Sequence, residues 1–288
     1  VRVVEDTVYV MGSYVALSND SLGLPTAGSP PWDLPKSTSY YRTYLAAYDR
    51  HTGRLAWWMW FYRPYANCVG TDIEVDDQGQ VFLLLVSHHF VSWEYRDTSG
   101  FMGSGSFTGS GVGGDRYSYL VRVRASIGTI PNIAFTYAGI QGGGSGQAVD
   151  LMHLLRVGGF IFVTGTYTKG AVSLLSLSIG SLTLSLNFPS LSNYSQGLIV
   201  RFDAATLLAD RVGELRAQGS LSSYDVRGHD FVYEPVGNTF WWVVETSAPP
   251  GASLMYTNNG SSYSSVSSSG PGLYGVRLNA FLPLIHIS

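Results

Sequence analysis

The chain has 288 residues, 45% of them hydrophobic and only 13% charged, with a net charge of −3. That balance supplies no basic field for nucleic acid, and no uninterrupted apolar run reaches the length of a membrane-spanning helix. The single cysteine, Cys68, excludes an internal disulfide framework and reads as a small buried or turn residue.

Alternation of apolar and polar residues dominates, and Gly, Ser and Pro interrupt every long window, so strands are predicted throughout and helices are not. In chain order, strand pairs alternate with long insertions. "VRVVEDTVYVMGSY" turns at Glu5-Asp6, is followed by the insertion Leu17–Thr43, and then by "YLAAYDRHTGRLAWWMWF". "DIEVDDQGQVFLLLVSHHF" turns at Asp76–Gly79, with the insertion Val91–Ser118 and the pair "YLVRVRASIGTIPNIAFTYAG" behind it. "DLMHLLRVGGFIFVTGTY" turns at Gly158-Gly159, leading to the insertion Lys169–Ser195 and "LIVRFDAATLLADRVGEL". "DFVYEPVGNTFWWVVETS" turns at Gly237-Asn238, and the insertion Ala248–Gly272 and "LYGVRLNAFLPLIHIS" complete the chain.

One pattern thus recurs over residues 1–70, 71–147, 148–220 and 221–288. Four strands per repeat predict an all-β fold: a β-propeller of four four-stranded units in one domain over 1–288, with the insertions on one face. A β-sandwich is the alternative. Regular unit length and an insertion at the same point of every unit favour the propeller.

Ala47-x-Asp49-x-x-Thr52-Gly53-x-x-x-Trp57 resembles the turn and docking Trp of quinoprotein-type propeller repeats. "GGFIFVTGTY" and "VYVMGSY", followed by "YLVRV" or "YLAAYD", resemble the bacterial and archaeal β-propeller repeats called SBBP repeats. The likeness touches about half of each unit and none of the insertions. In the third unit Asp203 and Thr206 are kept, but Leu207 stands where the first unit has Gly53. The resemblance implies a secreted or surface protein. Quinoprotein dehydrogenases are longer and often carry a vicinal cysteine pair, so one cysteine and four units argue against that activity.

The insertions exceed ordinary connections in length and are rich in Ser, Gly, Thr and Tyr, a composition suited to adhesive surfaces. The third holds "AVSLLSLSIGSLTLSLNF", in which Leu175, Leu177, Ile179, Leu182, Leu184, Leu186 and Phe188 share one face of a hairpin turning at Gly180. Such a strip left wet invites aggregation, so it is expected to cover its own sheets or a neighbouring subunit. The sequons Asn19, Asn193 and Asn259 all fall in insertions and mark glycosylation candidates.

No histidine spacing suits zinc, no strand-to-helix Gly-x-Ser-x-Gly elbow occurs, and nothing singles out a carboxylate pair for glycosidase work. Asp72, Asp150 and Asp230 each open the first strand of a unit. Three carboxylates at one level of a central channel would suit a calcium ion; capping of a turn is the plainer expectation, and no cofactor is expected.

The residues therefore point to a non-enzymatic, exported structural protein, extracellular or on the cell surface, that self-associates into a filament or surface layer through the insertions and the apolar hairpin. Its main partner is itself, with glycans as a further one. The first alternative is a monomeric propeller binding carbohydrate or protein through exposed aromatics, namely Trp32, Tyr40, Tyr41, Trp93, Tyr95 and Tyr263. The second is an enzyme using the channel mouth.

Overall fold

In the computed structural model, the residues described are 1–15, 23–24, 32–34, 39–88, 90–97, 100–108, 116–124, 134–142, 148–168, 174–179, 182–187, 194–218, 223–258, 261–279, 282 and 284–287. Among them there is no helix, and the fold is all-β with several sheets. In order, the strands begin β1 (Arg2–Val4), β2 (Thr7–Tyr14), β3 (Gly23–Leu24), β4 (Trp32–Asp33), β5 (Arg42–Asp49) and β6 (Leu55–Tyr62). They continue with β7 (Cys68–Val75), β8 (Gln80–His88), β9 (Phe90–Asp97), β10 (Gly100–Thr108), β11 (Arg116–Arg124) and β12 (Ala134–Gly142). Next come β13 (Ala148–Val157), β14 (Phe160–Thr168), β15 (Leu174–Ile179), β16 (Leu182–Asn187), β17 (Ser195–Asp203) and β18 (Ala209–Gln218). The last are β19 (Ser223–Tyr224), β20 (Val226–Glu234), β21 (Thr239–Thr246), β22 (Ser253–Asn258), β23 (Ser261–Ser267), β24 (Gly272–Asn279) and β25 (Leu284–Ile287).

Two strand pairs from each sequence repeat line up side by side. The orders are β1-β2-β5-β6 (sheet I), β7-β8-β11-β12 (sheet II), β13-β14-β17-β18 (sheet III) and β20-β21-β24-β25 (sheet IV). Inner strands are apolar on both faces, as strands covered on both sides must be: in β6, Trp57, Trp58, Met59, Trp60 and Phe61 are all buried.

The insertions are where the structure adds most to the sequence pattern. In their described residues the later three are strands rather than loops, and each extends the sheet of the repeat before it. The β9–β10 hairpin pairs antiparallel with β6 (Trp57↔Asp97 to Tyr62↔Ser92). Likewise β22–β23 pairs with β18 (Gly213↔Asn258 to Gln218↔Ser253), and β15–β16 pairs with β12 (Ile140↔Ile179 to Gly142↔Leu177). The first insertion differs. Its β3–β4 pairing covers Gly23↔Asp33 and Leu24↔Trp32 only, and Leu24 and Leu34 pack on Trp58 and Trp60 of sheet I.

The Asp-x-x-Thr turns keep their geometry with and without glycine. Asp49 Oδ1 accepts hydrogen bonds from the backbone N–H of His51 (3.1 Å) and Thr52 (2.7 Å) and from the Thr52 hydroxyl (2.7 Å). Those bonds, the hydroxyl's first, hold its carboxyl below the usual range. Asp203 is held in the same way by Ala205 and Thr206. Gly53 (φ 66°) and Leu207 (φ 56°) occupy the same left-handed position. Leucine is disfavoured there, and burial of the Leu207 side chain offsets part of that cost.

The chain forms two compact units, one of Val1–Gly109 with Tyr119–Tyr137 and one of Ser110–Ser118 with Ala138–Ser288. In the first, β7 of sheet II lies on β1, β2 and β5 of sheet I. The Thr43 hydroxyl donates to Cys68 O (3.0 Å), and Gly70 N–H donates to the Ser13 hydroxyl (3.0 Å). A Cβ on Gly70 would stand 2.7 Å from Thr43 Cγ2 and 2.9 Å from Met11 Sδ, so glycine permits the approach. In the second unit, β20 of sheet IV lies on β13, β14 and β17 of sheet III. Phe162 meets Phe240 (ring centroids 4.3 Å), Trp242 Nε1 donates to the Thr164 hydroxyl (2.7 Å), and Gly228 makes the close approach. Also in that unit the Ser118 hydroxyl donates to Val149 O (2.8 Å). The face contact between a sheet and the next is therefore built in the same way in both units.

Candidate functional site

The opening strands of sheets II, III and IV share a bulge, at Thr71, Met152 and His229. It places Asp72, His153 and Asp230 at equivalent points, directly after the extra residue. Sequence alignment of Asp72 with Asp150 and Asp230 is corrected by this register: Asp150 lies before the bulge. Each carboxylate has a base beside it. Asp72 Oδ1 is 4.0 Å from Arg2, Asp150 Oδ2 is 2.9 Å from Arg116, and Asp230 Oδ1 is 2.9 Å from His153 Nε2. Asp72 and Asp230 also accept from the N–H of the next residue (2.8 and 2.7 Å), inside their strands rather than at a turn. Among the described residues no set of three or more His, Cys, Asp or Glu is grouped to hold a metal ion.

The aromatic candidates differ in exposure. Tyr40 and Tyr41 are exposed. Trp93 is half-buried on β9, beside Gly105. Tyr95 is buried at 2% exposure, with its ring 6.1 Å from that of Trp57, so it belongs to the core and corrects the expectation of exposure. The side chains of Trp32 and Tyr263 lie outside what is described, as do the sequon residues Asn19, Asn193 and Asn259.

The apolar hairpin forms as expected. Leu175 stands opposite Leu186, Leu177 opposite Leu184, and Ile179 opposite Leu182. Phe188 and the hairpin's side-chain surroundings lie outside what is described. Along its inner edge the hairpin's partner is β12 of its own chain.

Two buried ionisable groups stand apart. Cys68 is fully buried at the start of β7, and burial pushes its thiol up to about 12. A thiol so raised presents almost no thiolate near neutrality. An alkylating reagent at pH 8 should therefore label the native protein at a negligible rate and the denatured chain rapidly. Prompt labelling of native protein would show that β7 opens readily. Glu214, in the middle of β18, is pushed up to about 7 by burial, against a smaller opposing pull from Arg216.

What the sequence reading missed is a pair of open sheet faces. The face of sheet IV turned away from sheet III carries Val232, Trp241 and Leu273, which are 62%, 36% and 70% exposed. The guanidinium of Arg277 lies 5.6 Å over the Trp241 ring and 3.2 Å from Glu234. In sheet I, Val1 and Val3 are 69% and 53% exposed, with Val8 and Val10 half-buried beside them. Singly these residues look like ordinary surface apolar positions; only the repeat register shows that they share faces.

Comparison with known proteins finds no matching family model, no matching curated protein and no matching solved structure.

Proposed function

We propose that this chain is a non-enzymatic structural protein, exported to the cell surface or beyond it, that self-associates into a filament or layer through its sheets. The observation that carries the reading is how the chain joins its own repeats. The described hairpins β9–β10, β15–β16 and β22–β23 each add strands to the preceding sheet, and sheets I and II, like sheets III and IV, meet face to face. Large apolar side chains are exposed on sheet I (Val1, Val3) and on sheet IV (Val232, Leu273). Low charge weakens the electrostatic barrier to such contacts. The apolar hairpin has its own chain as edge partner, so association need not run through it.

A propeller arrangement of the four sheets is part of the proposal. Its support is that in both units the first strand of one sheet lies on the first three strands of the sheet before it. A sandwich in each unit is the competing arrangement.

Light scattering over a dilution series, with negative-stain imaging of the concentrated sample, tests the reading. We expect regular rods or sheets. A mass of one 31.2 kDa chain at every concentration would overturn it.

One observation favours a second reading, a ligand-binding protein. A surface pocket of ≈ 450 Å³ is lined by Asp225, Arg227, Glu245, Thr246 and Ser247. Its opposite charges beside hydroxyls suit a polar ligand such as a sugar.

A further inference from the structure

Arg227 and Glu245 stand directly opposite one another on β20 and β21, so their side chains rise from the same face of sheet IV. Opposite charges at that spacing can pair. Here they do not. Glu245 Oε2 lies 3.0 Å from His229 Nε2, and the exposed Arg227 guanidinium makes no hydrogen bond or ion pair among the described residues. Both line a cleft of ≈ 450 Å³, together with Asp225, Ser247 and Pro271. That volume falls within the span of about 300–1,000 Å³ that small-molecule sites occupy. Every lining residue belongs to sheet IV or its flanks, inside one compact unit, so the walls are complete within that unit.

Those walls are fixed before any ligand arrives. Asp225 N–H donates to the Ser247 hydroxyl (3.1 Å), and Ser247 N–H donates back to Asp225 O (3.1 Å). The Thr246 hydroxyl donates to the same carbonyl (3.0 Å) and accepts from Ala248 N–H (3.1 Å). Asp225 Oδ1 accepts from Ser195 N–H of sheet III (2.7 Å). The Tyr274 hydroxyl accepts from Ser269 N–H (2.9 Å) and Gly270 N–H (3.1 Å) and donates to Gly270 O (2.7 Å), which pins the turn leading into Pro271. These bonds leave a defined remainder among the described residues. Asp225 Oδ2 and Glu245 Oε1 are acceptors still to be used, the Ser247 hydroxyl keeps its proton to donate, and Arg227 keeps all its N–H donors.

Donors and acceptors thus share one small opening. A ligand bearing only negative charge meets two carboxylates, and one bearing only positive charge meets the guanidinium. A neutral molecule with adjacent hydroxyls satisfies both, because each hydroxyl accepts from Arg227 or Ser247 and donates to a carboxylate. It also replaces the water around these partly exposed groups bond for bond, which keeps their desolvation cost small. We propose that this cleft binds a neutral saccharide, with two adjacent hydroxyls held between Arg227 and Glu245 and the sugar ring resting on Pro271. The proposal rests on the ligand-binding reading above and names its ligand class and contacts.

Titration of the full chain, followed by nuclear magnetic resonance, tests this. The probes are glucose, galactose, mannose and N-acetylglucosamine, with glycine and inorganic phosphate as charged comparisons. At least one sugar should shift the Arg227 side-chain and Ser247 amide signals saturably. Arg227→Met keeps the stem and removes the donors, and Glu245→Gln removes the charge and keeps the shape. Each should weaken that sugar's binding by about tenfold or more. Both positions are exposed, so the fold should survive, as circular dichroism would confirm. Arg227→Lys, which keeps the charge and loses the fork, serves if the methionine disturbs it. Shifts caused by glycine or phosphate and by none of the sugars overturn the saccharide assignment while leaving ligand binding standing. Sugar shifts centred elsewhere, or unchanged affinity in either variant, overturn the contacts proposed here in the same limited way. Signals that none of the probes moves overturn both the proposal and the ligand-binding reading.

Discussion

Gly165→Ala should destabilise the second unit by about 3 kcal/mol or more, at the upper end of what overpacking costs. A Cβ at Gly165 would stand 2.1 Å from the backbone oxygen of Asp150 and 2.6 Å from Leu151 Cα. Both neighbours are backbone, so no rotamer change relieves the overlap. The strands themselves must part at the Leu151↔Gly165 pair, next to the bulge at Met152. The injury spreads, because Gly165 O also lies 2.6 Å from where a Cβ on Gly228 of sheet IV would be. Gly159→Ala is the control: nothing lies within 4 Å of its Cβ, and its effect should stay within about 0.5 kcal/mol. Denaturant titration of both variants checks the difference. Equal midpoints would mean that β13 and β14 are not held as described.

The second large effect depends on pH. Glu214 titrates near 7 in the folded chain, against 4.5 for an ordinary glutamate, chiefly because burial penalises the charged form. Its Oε1 makes no hydrogen bond among the described residues. Between those two pH values the folded state holds a proton that the unfolded chain has lost. This residue's contribution to stability is therefore fully present below about 4.5 and declines as pH rises to about 7. At ~1.4 kcal/mol for each pH unit between them, the decline totals about 3 kcal/mol. Glu214→Gln removes the ionisation and should raise stability at pH 8 relative to the unaltered chain, with little difference at pH 4.5. Unfolding midpoints of the two proteins measured across that range give the comparison directly. Parallel curves would show that Glu214 is already charged at neutral pH inside the fold.

Much of the strand order was readable because the alternation of residues such as Val8-Tyr9-Val10 and the turns at Asp76–Gly79 and Gly158-Gly159 are local signals. The Asp49–Gly53 turn was readable for the same reason, and Asp203–Leu207 shows that the Asp and Thr carry it. The insertions were located but not understood. "FVSWEYRD" and "SLMYTN" alternate only weakly, and nothing local says that their edge partners lie in the previous repeat. The aspartate alignment put Asp150 three residues from its place, since His153 stands at the rung of Asp72 and Asp230 and only the strand register shows it. Tyr95 illustrates a further limit: an aromatic in a polar stretch reads as exposed until the Trp57 that covers it is placed by pairing with another strand.

Borrowing strands from the following repeat has a consequence for biosynthesis. Sheet I has its fourth strand once Tyr62 is made, but its last two strands, Phe90–Asp97 and Gly100–Thr108, emerge only later. At ~5–20 residues translated per second, that interval lasts on the order of seconds. Throughout it, the tryptophan-rich strand Leu55–Tyr62 is an unprotected margin on a growing polypeptide, the most aggregation-prone state a strand can be in. The same wait recurs for Ala209–Gln218 until Ser253–Ser267 has been synthesised. Nascent chains of this design depend on steady elongation, or on a chaperone holding those margins, to reach their native state.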